Sequence, residues 1–174
     1  QEFDGELEKN FQAAASYKPN KAVWLEGKWK GLVQLSGDEE FLDDDTATSM
    51  DLLTEVGNAL SKIPNNIELN KKIIRQLEAK RKTIETGKGI DWATAEALAF
   101  GTLLVEGTGV RLSGQDSGRG TFSHRHCVLV DQSNENSYFP LSEIRSDQAQ
   151  FEVMDSPLSE AGVLGFEYGY SLAD

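Results

Sequence analysis

An α/β fold with a mainly parallel sheet and flanking helices is the architecture this sequence predicts, on three observations. The order of apolar patterns along the second half runs helix, strand, loop, strand, helix, as expected of strands joined by crossovers. The strand candidates Val110-Arg-Leu112, Cys127-Val-Leu-Val130 and Phe151-Glu-Val-Met154 are short and rich in β-branched residues. The segment from Trp92 to about Glu106 is apolar on nearly every side, the mark of a helix buried against a sheet.

Each element has a local cause. Phe3, Leu7 and Phe11 recur at intervals of four and predict a short helix within residues 1–16, broken by Tyr17-Lys-Pro-Asn-Lys21. Ala22 to Leu32 carries two tryptophans without a sustained period and reads as an ordered connector. Gly37 to Asp45 is acidic but lacks the alternating ligands and central glycine of an EF-hand loop, so it reads as a solvated loop. Thr48 with Asp51 predicts a capping box opening a helix with Leu52, Leu53, Val56 and Leu60, ended by Pro64. Asn66 is the expected cap of a helix over about 67–86, with Ile73, Ile74, Leu77 and Ile84 on one face, a basic opposite face, and Gly87 as its stop. Asp91 is the expected N-cap of the apolar helix, and Ser159 of a final helix through Val163, Leu164, Phe166 and Tyr170.

Composition narrows the function classes. The chain has 174 residues, 39% hydrophobic and 26% charged, with a formal net charge of -12. That balance excludes the basic stripe a nucleic-acid binder needs. No apolar run approaches the roughly 18 residues of a membrane span, and no signal-peptide pattern opens the sequence. A single cysteine, Cys127, excludes an internal disulfide and fits a reducing compartment. Without an initiator methionine, and with Phe166 to Asp174 ending on a helical pattern, the sequence reads as a piece of a longer polypeptide.

Against the acidic whole, residues 111–126 gather Arg111, Arg119, Arg125, both histidines and three glycines. Two readings stand side by side. The arginines and His124 and His126 can form a donor-rich trap for an anionic ligand, or the arginines can pair internally with the surplus acids. His124 and His126, two apart, can also be read as a start of a zinc site, but no third ligand stands at suitable spacing and Arg125 disfavours a cation. Ser123, His126 and Asp131 contain the residue types of a hydrolase, yet no G-x-S-x-G elbow is present. Glu160, in the first turn of the last helix, either stabilises a helix end or is a carboxylate aimed from a sheet edge into a cleft.

Three long stretches taken together are specific: Asp91-Trp-Ala-Thr-Ala-Glu-Ala-Leu-Ala-Phe-Gly-Thr-Leu-Leu104, Arg111 to His126, and Ser156-Pro-Leu-Ser-Glu-Ala-Gly-Val-Leu-Gly-Phe-Glu-Tyr-Gly-Tyr170. In this order they resemble the thiamin-diphosphate-dependent component of 2-oxoglutarate dehydrogenase, and Asn20 to Trp29 is similar to the connector ahead of that family's pyrimidine-binding domain. The resemblance implies a transketolase-like pyrimidine-binding domain, truncated, with residues 1–45 a connector containing a short helix and 46–174 the N-terminal part of the domain. It implies oxidative decarboxylation of 2-oxoglutarate in the tricarboxylic acid cycle, with succinyl transfer to a lipoyl group. Glu160 would be the activating glutamate that hydrogen-bonds the aminopyrimidine N1' and promotes its imino tautomer. Gln115 and Tyr168 would line the cofactor pocket. His126, with His124 beside it, would meet substrate or intermediate, and Phe122 and Arg119 would pack and order the loop.

The family's diphosphate and Mg2+ motif, G-D-G followed by an Asn, has no counterpart, since Gly37-Asp38-Glu39 lies in the acidic loop. The resemblance therefore implies that Mg2+ is bound by a domain absent from this chain. The partners it implies are a second copy in a homodimer, the dihydrolipoyl succinyltransferase core and dihydrolipoyl dehydrogenase, in the cytoplasm of a bacterium or the mitochondrial matrix. A 2-oxoadipate dehydrogenase-like paralogue and a non-catalytic anion-binding regulatory module are the alternatives.

Overall fold

A computed structural model describes residues 2–18 and 45–173. The connector from Ala22 to Leu32 and the acidic run up to residue 44 lie outside the described residues. The chain divides into two compact units, Gln1–Asp43 with Asp174, and Asp44–Ala173. In the first, α1 spans Glu2–Ala14 and leaves Phe3, Leu7 and Phe11 exposed, so the four-residue spacing marks a helix face without a described partner.

In the second unit, α2 (Met50–Ser61), α3 (Lys71–Thr86) and α4 (Trp92–Val105) precede the strands. The cap of α2 is Ser49, not Thr48: the Ser49 hydroxyl accepts from the Leu52 N–H, and Asp51 sits in the first turn, where the helix dipole favours its charge. The cap of α3 is Asn70, not Asn66, with its side chain accepting from the Lys72 N–H at 2.9 Å. Residues 67–69 cannot begin that helix because a distant segment holds them. The Glu68 N–H donates to the Asp131 carboxylate at 3.3 Å, and the Glu68 carbonyl accepts from the Gln132 N–H at 2.8 Å. Gly87 ends α3 at φ +62°, a left-handed conformation that glycine adopts without a Cβ penalty. Asp91 caps α4 as expected, accepting from the Thr94 N–H at 2.7 Å. Burial of α4 is one-sided: Ala93, Ala97, Leu98, Gly101 and Leu104 face inward, while Trp92 and Leu103 lie on an exposed face.

β1 (Val110–Gly114) and β4 (Phe151–Asp155) pair in parallel, from Val110 opposite Phe151 to Gly114 opposite Asp155. The expected strand at Cys127–Val130 does not join them. Only Leu129–Val130 is extended (β2), and it pairs antiparallel with Ser137–Tyr138 (β3). The reason is competition for backbone groups: the Cys127 and Val128 N–H groups both donate to the Gly118 carbonyl and so are unavailable to the sheet. Among the described residues the parallel sheet thus has two strands, and the antiparallel ribbon is a separate sheet. A 3-10 turn at Pro140–Ser142 leads to β4, and α5 (Glu160–Ala173) follows. Ser159 caps α5, its hydroxyl accepting from the Gly162 N–H at 3.3 Å.

The main core joins Val56 and Leu60 of α2, Ala97, Leu98 and Leu104 of α4, Cys127, Leu141 and Phe151. A satellite of Leu69, Leu77 and Leu129 lies under α3. α2 reaches both neighbours through glycine. A Cβ on Gly57 would lie 2.5 Å from Ile84 Cγ2, and one on Gly101 would run into Val56 Cγ1. Val56 is fully buried and cannot swing away. Gly101→Ala gains roughly 1 kcal/mol of helix propensity, but overpacking costs about 1–3 kcal/mol. The expected outcome in urea unfolding is a net loss of up to about 2 kcal/mol, partly relieved when Val56→Ala is added; two losses that simply add would contradict the contact.

Candidate functional site

The long crossover from Gln115 to Gln150 leaves the carboxyl end of β1 and folds back on itself. Its first part is fastened by backbone bonds: the Gly120 N–H to the Asp116 carbonyl at 2.7 Å, the Ser123 N–H to Gly120 at 2.8 Å, and the Arg125 and His126 N–H groups both to Arg119. Asp116, Ser123 and His126 adopt positive φ to make these turns. Gly120, at φ +78°, also packs under the His124 ring, where a Cβ would stand 2.5 Å from Cε1.

All three arginines of the cationic window are committed internally, which decides between the two readings of that window. Arg111 donates to Glu167 at 2.8 Å. Arg119 pairs with Asp116 and donates to the Ser123 hydroxyl at 2.7 Å. Arg125 makes a two-pronged pair with Glu96, at 2.6 and 3.2 Å, and donates to the Ser117 carbonyl at 3.1 Å. Donating to the Glu96 carboxylate holds the Arg125 pKa above its ordinary value, against the opposing effect of burial. Arg119 orders the loop as expected; Phe122 is 87% exposed and meets the His124 ring at 6.2 Å between centroids rather than a core.

His124 and His126 converge with Lys80 and Gln76 of α3 and with Asp91 and Thr94 at the start of α4, around a cavity of about 190 Å3. Burial pushes the His126 pKa down, with help from the Lys80 and Arg119 charges, and its ring bond to the Ser123 carbonyl offsets this only in part. Burial also lowers Lys80, while Asp91, Cys127 and Glu96 pull it the other way. His126 Nε2 lies 3.0 Å from the Ser123 carbonyl, so as the donor of that bond it leaves Nδ1 as an acceptor.

No hydrolytic triad exists here. The His126 ring meets the Ser123 carbonyl rather than its hydroxyl, and Asp131 is occupied by Ser133 and Glu68. Among the described residues no group of three or more His, Cys, Asp or Glu can hold a metal ion, and no helix is long and apolar enough to cross a membrane. The Cys127 thiol is buried, faces the Ser117 and Gly118 carbonyls, and is pushed up to about 11 by burial.

Glu160 and Gln115 lie beyond the carboxyl ends of the parallel strands. The Ser156 N–H donates to the Gly114 carbonyl at 2.8 Å, carrying the β1–β4 ladder one step further, so Gln115 and the start of α5 leave the sheet side by side. Asp155, opposite Gly114, accepts from the Gly118 N–H at 3.2 Å and holds the crossover against this edge. Between the strand ends and the first turns of α5 opens a cavity of about 170 Å3, lined by Ser113, Met154, Asp155, Ser156, Pro157, Gly162 and Phe166. Glu160 is exposed in the first turn, and neither it nor Gln115 spends its side chain on a hydrogen bond among the described residues. An uncommitted carboxylate and amide at the carboxyl edge of a parallel sheet stand where α/β folds bind ligands.

The sequence-derived site residues therefore fall into separate groups. Gln115 and Glu160 share the sheet edge. His124 and His126 line the cavity under α3, which has no lining residue in common with the cavity at the strand ends. Tyr168 is 68% exposed and lines neither; Phe166 and Tyr170 make the ring contacts of α5 instead. Sequence reasoning missed the partners Glu96 and Glu167 and gave Asp131, which staples Glu68, a different role. Only Glu167 had a signal, standing two turns after Glu160 on the same helix face.

The lowered His126 pKa has a testable consequence. Below about 6.5, its ordinary value, the unfolded chain takes up a proton that the folded chain resists, so stability falls as pH falls through that window. Asp91, Asp131 and Glu167, all lowered from ordinary carboxylate values, add their losses only at more acid pH. Urea midpoints at pH 7.5 and 5.5 are expected to differ less for His126→Gln than for the native chain; equal differences would contradict the buried neutral ring.

The family described as transketolase, pyrimidine binding domain, matches residues 88–174. The chain is 52% identical over 168 residues to the 2-oxoglutarate dehydrogenase E1 components of Brucella anthropi, Brucella canis and Brucella suis. The aligned part covers 97% of this chain and 17% of each of those proteins, so the chain spans about a sixth of their length. With a parallel strand pair, its crossover and a helix that begins on a carboxylate at the strand ends, the chain belongs to the transketolase pyrimidine-binding domain family.

Proposed function

We propose that this chain supplies part of the catalytic site of a thiamin-diphosphate-dependent 2-oxo acid decarboxylase, the E1 component of a 2-oxoglutarate dehydrogenase. Residues 46–174 then form the N-terminal part of the pyrimidine-binding domain, and 1–45 its connector. The observation that carries the proposal is the placement of Glu160: a carboxylate without a partner among the described residues, in the first turn of α5 at the carboxyl edge of β1 and β4, in a chain 52% identical to E1 components. The residues present fit the pyrimidine end of the cofactor, since a carboxylate and an amide with no hydrogen-bond partner among the described residues stand at the carboxyl edge of β1 and β4, though neither lines the cavity of about 170 Å3 there.

Thiamin diphosphate, when bound, supplies a carbon nucleophile and the electron sink that decarboxylation of a 2-oxo acid requires. Glu160 holds and exchanges a proton at a ring nitrogen of the aminopyrimidine, general acid–base work for which a carboxylate at hydrogen-bond distance is suited. Gln115 orients the ring through its amide. His126 and His124 are proposed as contacts to substrate carboxylates, supported by their shared cavity with Lys80, and Tyr168 as a flank of the cofactor. Mg2+ is assigned to a domain outside this chain.

The substrate we propose is 2-oxoglutarate, in keeping with the names of the Brucella relatives. The partners are a second copy of the enzyme, the dihydrolipoyl succinyltransferase core and dihydrolipoyl dehydrogenase, in a bacterial cytoplasm or mitochondrial matrix. A non-catalytic anion-binding module is less well supported, because Arg111, Arg119 and Arg125 are already paired. In the holoenzyme, Glu160→Gln is expected to lower kcat for 2-oxoglutarate by about 10²- to 10⁴-fold, the usual scale of a lost acid–base group, with a smaller change in KM. Undiminished turnover would overturn the assignment.

A further inference from the structure

α5 has no fully buried side chain among the described residues, Phe166 and Tyr170 being 38% and 40% exposed, and a compact polar clamp joins it to β1. Glu167 accepts one bond on each carboxylate oxygen, from the Arg111 guanidinium at 2.8 Å and from the Ser113 hydroxyl at 2.8 Å. Arg111 and Ser113 are two apart on a strand and so share one face. The guanidinium carbon lies 3.3 Å from the centroid of the Tyr170 ring and 5.5 Å from that of Phe166, a cation held over two rings of the same helix.

The clamp is built at some cost. Arg111 Nε is buried with no hydrogen-bond partner among the described residues. The guanidinium is thus held by Glu167 and the rings rather than by a full set of its own bonds. Its direction also matters. Glu167 meets residues 111 and 113, and Tyr170 meets 111, so α5 runs back along β1 and its first turn projects past Gly114 toward Gln115. Glu160 precedes Glu167 by about two turns and occupies the same face. Fixing Glu167 on β1 therefore sets the rotation of the helix, and with it the side on which Glu160 emerges.

From this geometry we infer that Arg111, Ser113 and Glu167 are positioning residues for the catalytic edge, acting through Glu160 by locking the rotation of α5 on β1. The inference rests on the assignment of Glu160 made above. Loss of the clamp leaves the carboxylate in place but free to turn away, and a misplacement of about 1 Å at a reacting group typically costs on the order of 10²-fold in rate.

The test uses the holoenzyme with Glu167→Ala, chosen because Glu167 is part-exposed and its loss leaves no large cavity, and Ser113→Ala as a milder second variant. Amide hydrogen exchange of the cofactor-free protein is expected to quicken in the first two turns of α5, with β1 and β4 unchanged. Glu167→Ala is expected to lower kcat by about 10- to 100-fold at nearly constant KM, with Ser113→Ala between it and the native enzyme. In a Glu160→Gln background the same substitution is expected to change the rate by less than about twofold, because residues acting through one group are not additive. Equal losses in both backgrounds would show a merely structural role and overturn the inference, as would native exchange rates in α5. Should Glu160→Gln itself leave turnover intact, the assignment of Glu160 falls, while the exchange rates still decide whether the clamp holds the helix.

Discussion

Pairing β1 with β4 in parallel is the constraint from which most of this structure follows. Parallel neighbours cannot be joined by a tight turn, so the chain must travel from one end of the sheet back to the other. In many α/β units a helix makes that journey and satisfies its own backbone. Here residues 115–150 make it largely as loop, with a two-stranded ribbon and one 3-10 turn on the way. Every buried N–H and C=O along that path needs a partner from somewhere else. The bonds from Gly118, Arg119 and Gly120, the Asp131 staple on Glu68, and the Gln148 amide, which accepts from the Ile144 and Arg145 N–H groups and donates to the Leu141 carbonyl, are the answer.

The same requirement explains where the positive charge went. A loop of this length ordered by neutral bonds alone would rely on many weak contacts, whereas guanidinium groups make charge-assisted, forked ones. Arg125 ties the loop to α4 through Glu96 and to itself through the Ser117 carbonyl. Arg119 closes the turn on Asp116, and Arg111 secures α5. The acidic excess of the chain supplies the counter-charges. Gln115 and Glu160 at the sheet edge keep their side chains out of this network, while beneath α3 the His126 ring is held by the Ser123 carbonyl beside Lys80 and His124.

Local signals were legible in the sequence because the physics behind them is local. Asp91, Ser159 and Gly87 act within a turn of their own helices, and their roles stand as read. Ser49 displaced Thr48 by one position, a choice between equivalent hydroxyls. Asn66 failed as a cap for a non-local reason, since Asp131 takes the Glu68 N–H across 63 residues. Cys127–Val130 has the composition of an interior strand, but Gly118 captures its first amides. The pairing of Arg111 with Glu167 and of Arg125 with Glu96 spans 56 and 29 positions, and no periodicity announces either. Glu160 was singled out by its place in the first turn of the last helix and Gln115 through the resemblance, and the strand register is what sets the two segments side by side.

One buried group has a practical bearing outside catalysis. Cys127 is the single cysteine of the chain, and its thiol, pushed up to about 11 and enclosed by carbonyls, is almost wholly protonated at neutral pH. The thiolate is the nucleophile that attacks thiol reagents, so the native chain presents a silent background to them. A cysteine introduced on the open face of α4 or of α5 would then be the sole reactive position, and a fluorophore or spin label placed there would report from a known address without removing the native residue.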